Sequence, residues 1–272
     1  MTSQHADRTR RKALCLMSIL MIVAALVGSA TPASAQDQVR ARFPIVAGTA
    51  LTLPGGHECT VGAVLSRVGA GSLVSQYVAA TRYIVLAKHC SSGIGSNIGL
   101  NHENVGSVVW VSETNDVELA VIPPYTSPAR RACFGSIQSC FAGSAVEPRA
   151  TGKVVMSTRG GERAVPMRPP GTPAPGERFC TSGAETGVNC NWVSEASRPA
   201  NWGHTEGRMA RSTNAQGLDH GDSGGPVISQ DGRLYGIIQR AGLMEYLNFM
   251  QYIPIEQVLS QIGSQYTLAP AR

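Results

Sequence analysis

Apolar residues along this chain come in short runs separated by turn-forming ones. Segments 60–68, 77–86, 106–111, 117–122, 152–157, 226–229 and 234–239 are β-type in composition and bounded by Gly, Asn, Asp and Pro. This pattern predicts an all-β barrel or sandwich, because long helical patterns that would alternate with strands in a parallel α/β sheet are missing. One helix is expected near the end, where Ile255, Val258, Leu259 and Ile262 recur at helical spacing behind Pro254. Residues 161–178, with Pro166, Pro169, Pro170, Pro173 and Pro175, read as a solvated loop inserted between two strands. The stretch 123–150 reads as the crossing from one half of the chain to the other.

The first 35 residues belong to a different pattern. Arg8, Arg10, Arg11 and Lys12 precede an apolar run over 13–27, and Ala33-Ser34-Ala35 is a small-x-small cleavage signal. The run is short against the about 20 residues a membrane span needs. A signal peptide over 1–35 is therefore expected, with no stable membrane anchor after its removal. A short segment, 36–44, then leads into one region, 45–272, long enough for one large or two small cores.

Removing 1–35 also changes the charge. The full chain has 23 basic and 18 acidic side chains, of which this segment holds four and one, so the remainder is +2 rather than +5. Charge thus gives no ground for a nucleic-acid partner. Cys15 leaves with the same segment. Cys59, Cys90, Cys133, Cys140, Cys180 and Cys190 remain, an even number that in an exported chain reads as three disulfides of open connectivity. There is no Cys-x-x-Cys pair and no His-Glu-x-x-His helix, so neither a metal nor a cofactor is expected.

The candidate chemistry lies in Gly221-Asp222-Ser223-Gly224-Gly225-Pro226 and in His89-Cys90. A serine hydroxyl is a weak nucleophile at neutral pH and needs a base and a site for the oxyanion. The glycines allow a backbone that turns successive N–H groups toward one point. His89 follows the apolar run Tyr83-Ile84-Val85-Leu86, and Cys90 can tie its turn to an adjacent strand, with Cys59 in the first predicted strand as the natural partner. Asp116, 27 residues on at the mouth of an apolar strand, is the carboxylate chosen to orient His89. Glu113 and Glu118 are set aside as solvent-facing charges on an alternating strand, and Asp222 is assigned to shaping the loop of Ser223. The order His89, Asp116, Ser223 differs from the Ser…Asp…His and Asp…His…Ser orders of other serine hydrolases.

Ala87-Lys88-His89-Cys90, Asn115-Asp116-Val117-Glu118-Leu119 and Gly221 to Pro226 together resemble the chymotrypsin-like (trypsin superfamily) serine proteases. Cys180-Thr181-Ser182-Gly183 with Thr186-Gly187-Val188-Asn189-Cys190 is similar to the bacterial streptogrisin-type branch. The resemblance spans about residues 45–262. It implies two six-stranded antiparallel barrels, about 45–140 and 150–253, a C-terminal helix at about 254–264, and a cleft between them. It further implies His89, Asp116 and Ser223 as catalytic residues, the N–H groups of Gly221 and Ser223 as the oxyanion hole, and pairs Cys59–Cys90 and Cys180–Cys190. Cys133–Cys140 is left as a local clip. The implied protein is a secreted, monomeric endopeptidase acting on proteins or peptides.

Three positions depart from the family pattern. The base of the specificity pocket, six residues before Ser223, is Gly217, so the acid that makes trypsins select Arg and Lys is missing. The pocket wall, usually Ser-Trp-Gly, reads Gln239, Arg240, Ala241, Gly242; Gln239 is expected to bear on the support of Asp116, and Arg240 reads as a rim charge before it reads as a selector of acidic substrates. Ile45-Val46-Ala47-Gly48 is similar to the freed terminus whose ammonium pairs with the Asp before the nucleophile. The streptogrisin-type alternative, an Arg after the first cysteine of the later disulfide, is Thr181 here, which leaves Arg178 as a candidate partner of Asp222. These departures keep a second class open, a secreted binding protein on the same scaffold with little activity.

Overall fold

Ile84, Val85 and Leu86 are consecutive and all fully buried. Side chains alternate along a strand, so this sheet must have a core on each face. The computed structural model, which describes residues 39–127, 130–134, 139–143, 145–203 and 206–272 (backbone alone for 130–134 and 139–143), shows both cores. The expected signal segment lies outside the described residues.

Strand β1 (Ile45–Ala47) is followed by β2 (Ala50–Thr52), β3 (Glu58–Thr60), β4 (Ala63–Arg67), two single-turn helices α1 (Ala70–Val74) and α2 (Gln76–Ala80), β5 (Arg82–Leu86), β6 (Asn97–Leu100), β7 (Glu103–Val111) and β8 (Glu118–Ile122). The crossing holds β9 (Tyr125–Thr126), β10 (Arg130–Phe134), β11 (Ser139–Gly143) and β12 (Val146–Glu147). A hairpin of β13 (Ala150–Thr158) and β14 (Gly161–Pro166) leads to β15 (Arg178–Gly183), β16 (Gly187–Glu195), β17 (Arg208–Ser212), β18 (Pro226–Ser229), β19 (Leu234–Ala241) and β20 (Phe249–Pro254). Helix α3 (Ile255–Ile262) and β21 (Tyr266–Leu268) end the chain.

Two antiparallel structures result. The first is an eight-stranded half-barrel in the order β21-β4-β5-β8-β7-β6-β2-β3, and the second a closed barrel in the order β15-β16-β17-β20-β19-β18. Ile84 and Leu86 fill the first core with Leu51, Val64, Ile98, Val108 and Ile122. Val85 points the other way, into a layer shared by Leu65 and Leu119 of the first unit, Ile228, Ile237 and Ile253 of the second, and Ile255, Val258 and Ile262 of α3. Phe179, Trp192, Tyr235, Met250 and Tyr252 fill the closed barrel.

This is the expected double-barrel fold with its C-terminal helix, and the details differ in three places. The first unit has eight strands rather than six, because β2 and β3 form a separate hairpin and β21 returns to pair with β4. Residues 77–86 are not all strand: Ser75 caps α2 by accepting the Val78 N–H at 3.3 Å, and the strand starts only at Arg82. Residues 161–178 are not all loop, since β14 pairs with β13 from Gly161 to Pro166 and only the following stretch is irregular. Cys133 and Cys140 face each other in the β10–β11 register, but their side chains lie outside the described residues. Among the described residues, no helix is long and apolar enough to cross a membrane.

Because α3 packs on the layer between the barrels, Ile255→Ala should lower the unfolding free energy by about 2–4 kcal/mol in urea titrations, as large-to-small core changes do. Glu256→Ala, one residue on but exposed, should change it by under about 0.5 kcal/mol.

Candidate active site

The end of β5 sets His89. Ala87 begins a single 3-10 turn, Lys88–Cys90, and the Cys90 N–H donates to the Ala87 carbonyl at 3.1 Å. Cys90 is joined to Cys59 of β3 by a disulfide, S–S 2.01 Å and Cα–Cα 6.1 Å, and Lys88 Nζ donates to the Ser112 carbonyl at 2.8 Å. The turn is thus held by both neighbouring segments.

Asp116 reaches the same turn from the loop before β8. The Ser112 hydroxyl accepts the N–H groups of Thr114 and Asn115 at 3.2 and 3.0 Å, folding that loop back on itself. Asp116 then makes two contacts with one residue: Oδ1 accepts the His89 N–H at 2.9 Å and Oδ2 lies 2.6 Å from His89 Nδ1. Burial pushes the Asp116 carboxyl up, but the imidazole hydrogen bond, its charge and the backbone donors outweigh this, and its pKa lies below the ordinary value.

Ser223 comes from the second barrel. Gly221 and Gly224 have φ of +103° and +83°, a region that favours glycine. Gly224 also sits where a Cβ would come within 2.6 Å of the Thr60 carbonyl and 2.9 Å of the Ala87 N–H. This close approach lets the Thr60 N–H donate to the Ser223 carbonyl at 2.8 Å, and the Thr60 hydroxyl donate to the Gly221 carbonyl at 2.7 Å. Ser223 and His89 consequently line one cleft of about 510 Å³ with His57, Glu58, Glu185 and His220. Among the described residues, no hydrogen bond joins the Ser223 hydroxyl to His89, and neither the Gly221 nor the Ser223 N–H has an acceptor.

No protein-family model and no curated protein matches the sequence. Solved structures do. A Nocardiopsis protease (NAPase) is 18% identical with a TM-score of 0.56, over 83% of this chain and 98% of its own. Thermobifida fusca protease A is 20% identical at 0.54, over 83% and 98%. A glutamic acid-specific serine protease, described as using a histidine triad in substrate binding, is 21% identical at 0.53, over 82% and 100%. The fold is that of the chymotrypsin-like serine proteases.

Within this chymotrypsin-like fold, several expected site residues sit differently from the sequence reading. Arg178 is exposed at the start of β15 and makes no ion pair with Asp222. The fully buried Asp222 instead accepts the N–H groups of Glu185, Thr186 and Asp219 at 3.0, 3.1 and 2.9 Å, and the Thr186 hydroxyl at 2.7 Å. Four neutral donors satisfy it where a cation was expected. Ile45 lies in β1, its N–H bonded to the Arg149 carbonyl at 2.8 Å, and does not meet Asp222 in this uncleaved chain. The buried cation near this region is Arg40, which pairs with Glu162 at 2.9 Å and donates to the Gly48 carbonyl and Ser182 hydroxyl at 2.8 and 3.1 Å. Glu162 also accepts the Val188 N–H at 2.9 Å, so β14 steadies the β15–β16 turn that serves Asp222. Cys180–Cys190 ties those two strands, Cα–Cα 3.8 Å.

Gly217 and β19 are where the specificity pocket is expected. Gly217 packs its Cα against the Leu247 carbonyl, and Gly242 packs against that of Tyr246. Gln239 is buried and its Oε1 meets Gln251 Nε2 at 3.4 Å, so it supports the second barrel and not Asp116. Arg240 is exposed and donates to the Trp202 carbonyl at 3.3 Å. Asp219 is exposed, with Oδ1 accepting the His220 N–H at 2.7 Å. Among the described residues, no cluster of three or more His, Cys, Asp and Glu is placed to hold a metal ion.

Sequence reading missed Thr60, Glu185 and Glu118. Thr60 carried no signal, since its role is a contact between barrels. Glu185 sits beside Gly221, and burial, then the neighbouring Glu58 carboxyl, pushes its pKa up. Glu118 is not solvent-facing. It is fully buried, its Oε2 accepts the Ser91 hydroxyl at 2.6 Å, and Oε1 has no partner. Burial foremost, and the Asp116 charge, raise its pKa from 4.5 to about 7, against the Ser91 hydrogen bond and the charges of His89 and Lys88.

A buried acid with a raised pKa keeps its proton in the folded state after losing it in the unfolded one. Its contribution is therefore fully present below about pH 4.5 and lost as pH rises through about 7. Thermal unfolding should show a decline over that window that is absent in Glu118→Gln.

Proposed function

We propose that the chain is a secreted serine endopeptidase that hydrolyses peptide bonds through an acyl-enzyme on Ser223. The observation that carries this is one imidazole, fixed by Asp116 on its Nδ1 side, facing the cleft that Ser223 and two unpaired N–H groups share. In this reading His89 Nε2 takes the Ser223 proton as the hydroxyl attacks the scissile carbonyl, and then returns it to the leaving amine. Asp116 holds the tautomer with Nδ1 protonated and stabilises the imidazolium. The N–H groups of Gly221 and Ser223 receive the oxyanion, and water repeats the sequence to release the acyl group. The substrate backbone pairs with β19 beside Gln239 to Ala241 as an added strand. The disulfides Cys59–Cys90 and Cys180–Cys190 fit an oxidising, extracellular setting.

Ser223→Ala and His89→Ala should each lower kcat by about four to six orders of magnitude in a peptide-hydrolysis assay, and the double variant little further, because the two act as a unit. Additive losses would count against a shared step. Tight ligand binding without turnover, unaffected by Ser223→Ala, would favour the binding protein instead.

The specificity region yields a second test. Gly217 supplies no carboxylate, and Asp219 is exposed and already bonded to a backbone N–H. A diverse peptide library digested by the protein and read by mass spectrometry should show no enrichment of Arg or Lys before the cleaved bond. Strong enrichment would mean that Asp219 turns into the pocket.

A further inference from the structure

Two residue pairs of the same spacing hold the turn that carries His89. His89 is bridged to Asp116 and Ser91 to Glu118, each pair 27 residues apart. Asp116, in the loop before β8, and Glu118, the first residue of β8, both reach the turn. The Ser91 hydroxyl in turn accepts the Gly93 N–H at 3.0 Å, which continues the bridge into the chain beyond the turn.

We infer that Glu118 is a positioning residue for His89: through Ser91 it forms, beside Asp116, the second of two bridges that fix the turn carrying the imidazole. This rests on the reading of His89 as the general base. A carboxyl at this place is costly unless it is used, since β8 is otherwise apolar and one oxygen, Oε1, is buried without a partner. A Leu there would pack between Leu86 and Val111, the residues opposite it on β5 and β7. What Leu cannot do is accept the Ser91 hydroxyl.

The bridge also carries charge information. The charged and titratable groups facing Glu118 are Asp116 from its own loop and His89 and Lys88 from the turn, with Lys88 held on the Ser112 carbonyl. Ionisation of Glu118 would place a second negative charge behind the imidazole and beside Asp116, altering the field in which His89 takes its proton.

Three variants separate positioning from packing. Glu118→Ala and Ser91→Ala break the bridge and should lower kcat by about tenfold with KM unchanged, a fraction of what a displaced catalytic group costs. Glu118→Gln retains an acceptor for Ser91 and should recover most of the loss. Amide hydrogen exchange supplies a readout that needs no activity: protection at His89 and Gly93 should fall in Ser91→Ala and Glu118→Ala and return in Glu118→Gln. Ser91 is partly exposed, so its variant tests the bridge without emptying the core. Unchanged protection at both amides in Ser91→Ala, or a Glu118→Gln variant no better than Glu118→Ala, would overturn the inference. If the parent protein cleaves no peptide, the protease reading fails, and the exchange data still decide whether Glu118 holds the turn.

Discussion

Everything at the candidate site depends on how closely two backbones approach where the barrels meet. Gly62 and Gly224 lie face to face there, and a side chain on either would collide with backbone of the other segment. Their absence of side chains allows Thr60 to bond the Ser223 carbonyl and the Gly221 carbonyl together. Thr60 adjoins Cys59, and Cys59 is bonded to Cys90 beside His89. A short covalent and hydrogen-bonded path thus joins the serine of one barrel to the histidine of the other. The apolar layer under it, from Val85 through Ile237 to α3, keeps the barrels from sliding.

The electrostatics follow from what each buried carboxylate is given. Asp116 receives an imidazole and a backbone N–H and stays charged below its ordinary pKa. Asp222 receives four neutral donors from the β15–β16 turn and the Asp219 N–H, an arrangement that holds the Ser223 loop without a freed amino terminus. Arg40 and Glu162 steady that turn from outside, through the Val188 N–H. Glu118 receives one hydroxyl, too little to offset burial, and its pKa rises.

The double-barrel architecture and α3 were legible because strand runs, turn residues and the 255, 258, 262 spacing are local signals. His89, Asp116 and Ser223 were legible as candidates through their motifs and order; His89 and Ser223 line one cleft, and Asp116 is hydrogen-bonded to His89. The partners of Asp222 were not legible: backbone N–H groups have no residue type, so a search for a cation pointed to Arg178, which lies elsewhere. Glu118 was misplaced for a related reason. A charged residue in an alternating pattern reads as outward, whereas Glu118 shares the face of β8 that carries Ala120 and Ile122 into the first core, opposite Leu86 and Val111. β14 was obscured by the prolines that follow it, and β15 and β16 by the polar Thr181, Ser182 and Asn189 among their buried residues.

The central claim is that Ser223, activated by His89, is the nucleophile. Its most direct test is mass-spectrometric mapping of the protein after reaction with a fluorophosphonate. The account predicts a single adduct, on Ser223, formed by the parent and lost in His89→Ala. No adduct, or one on another residue, or labelling of Ser223 at the same rate without His89, would contradict it.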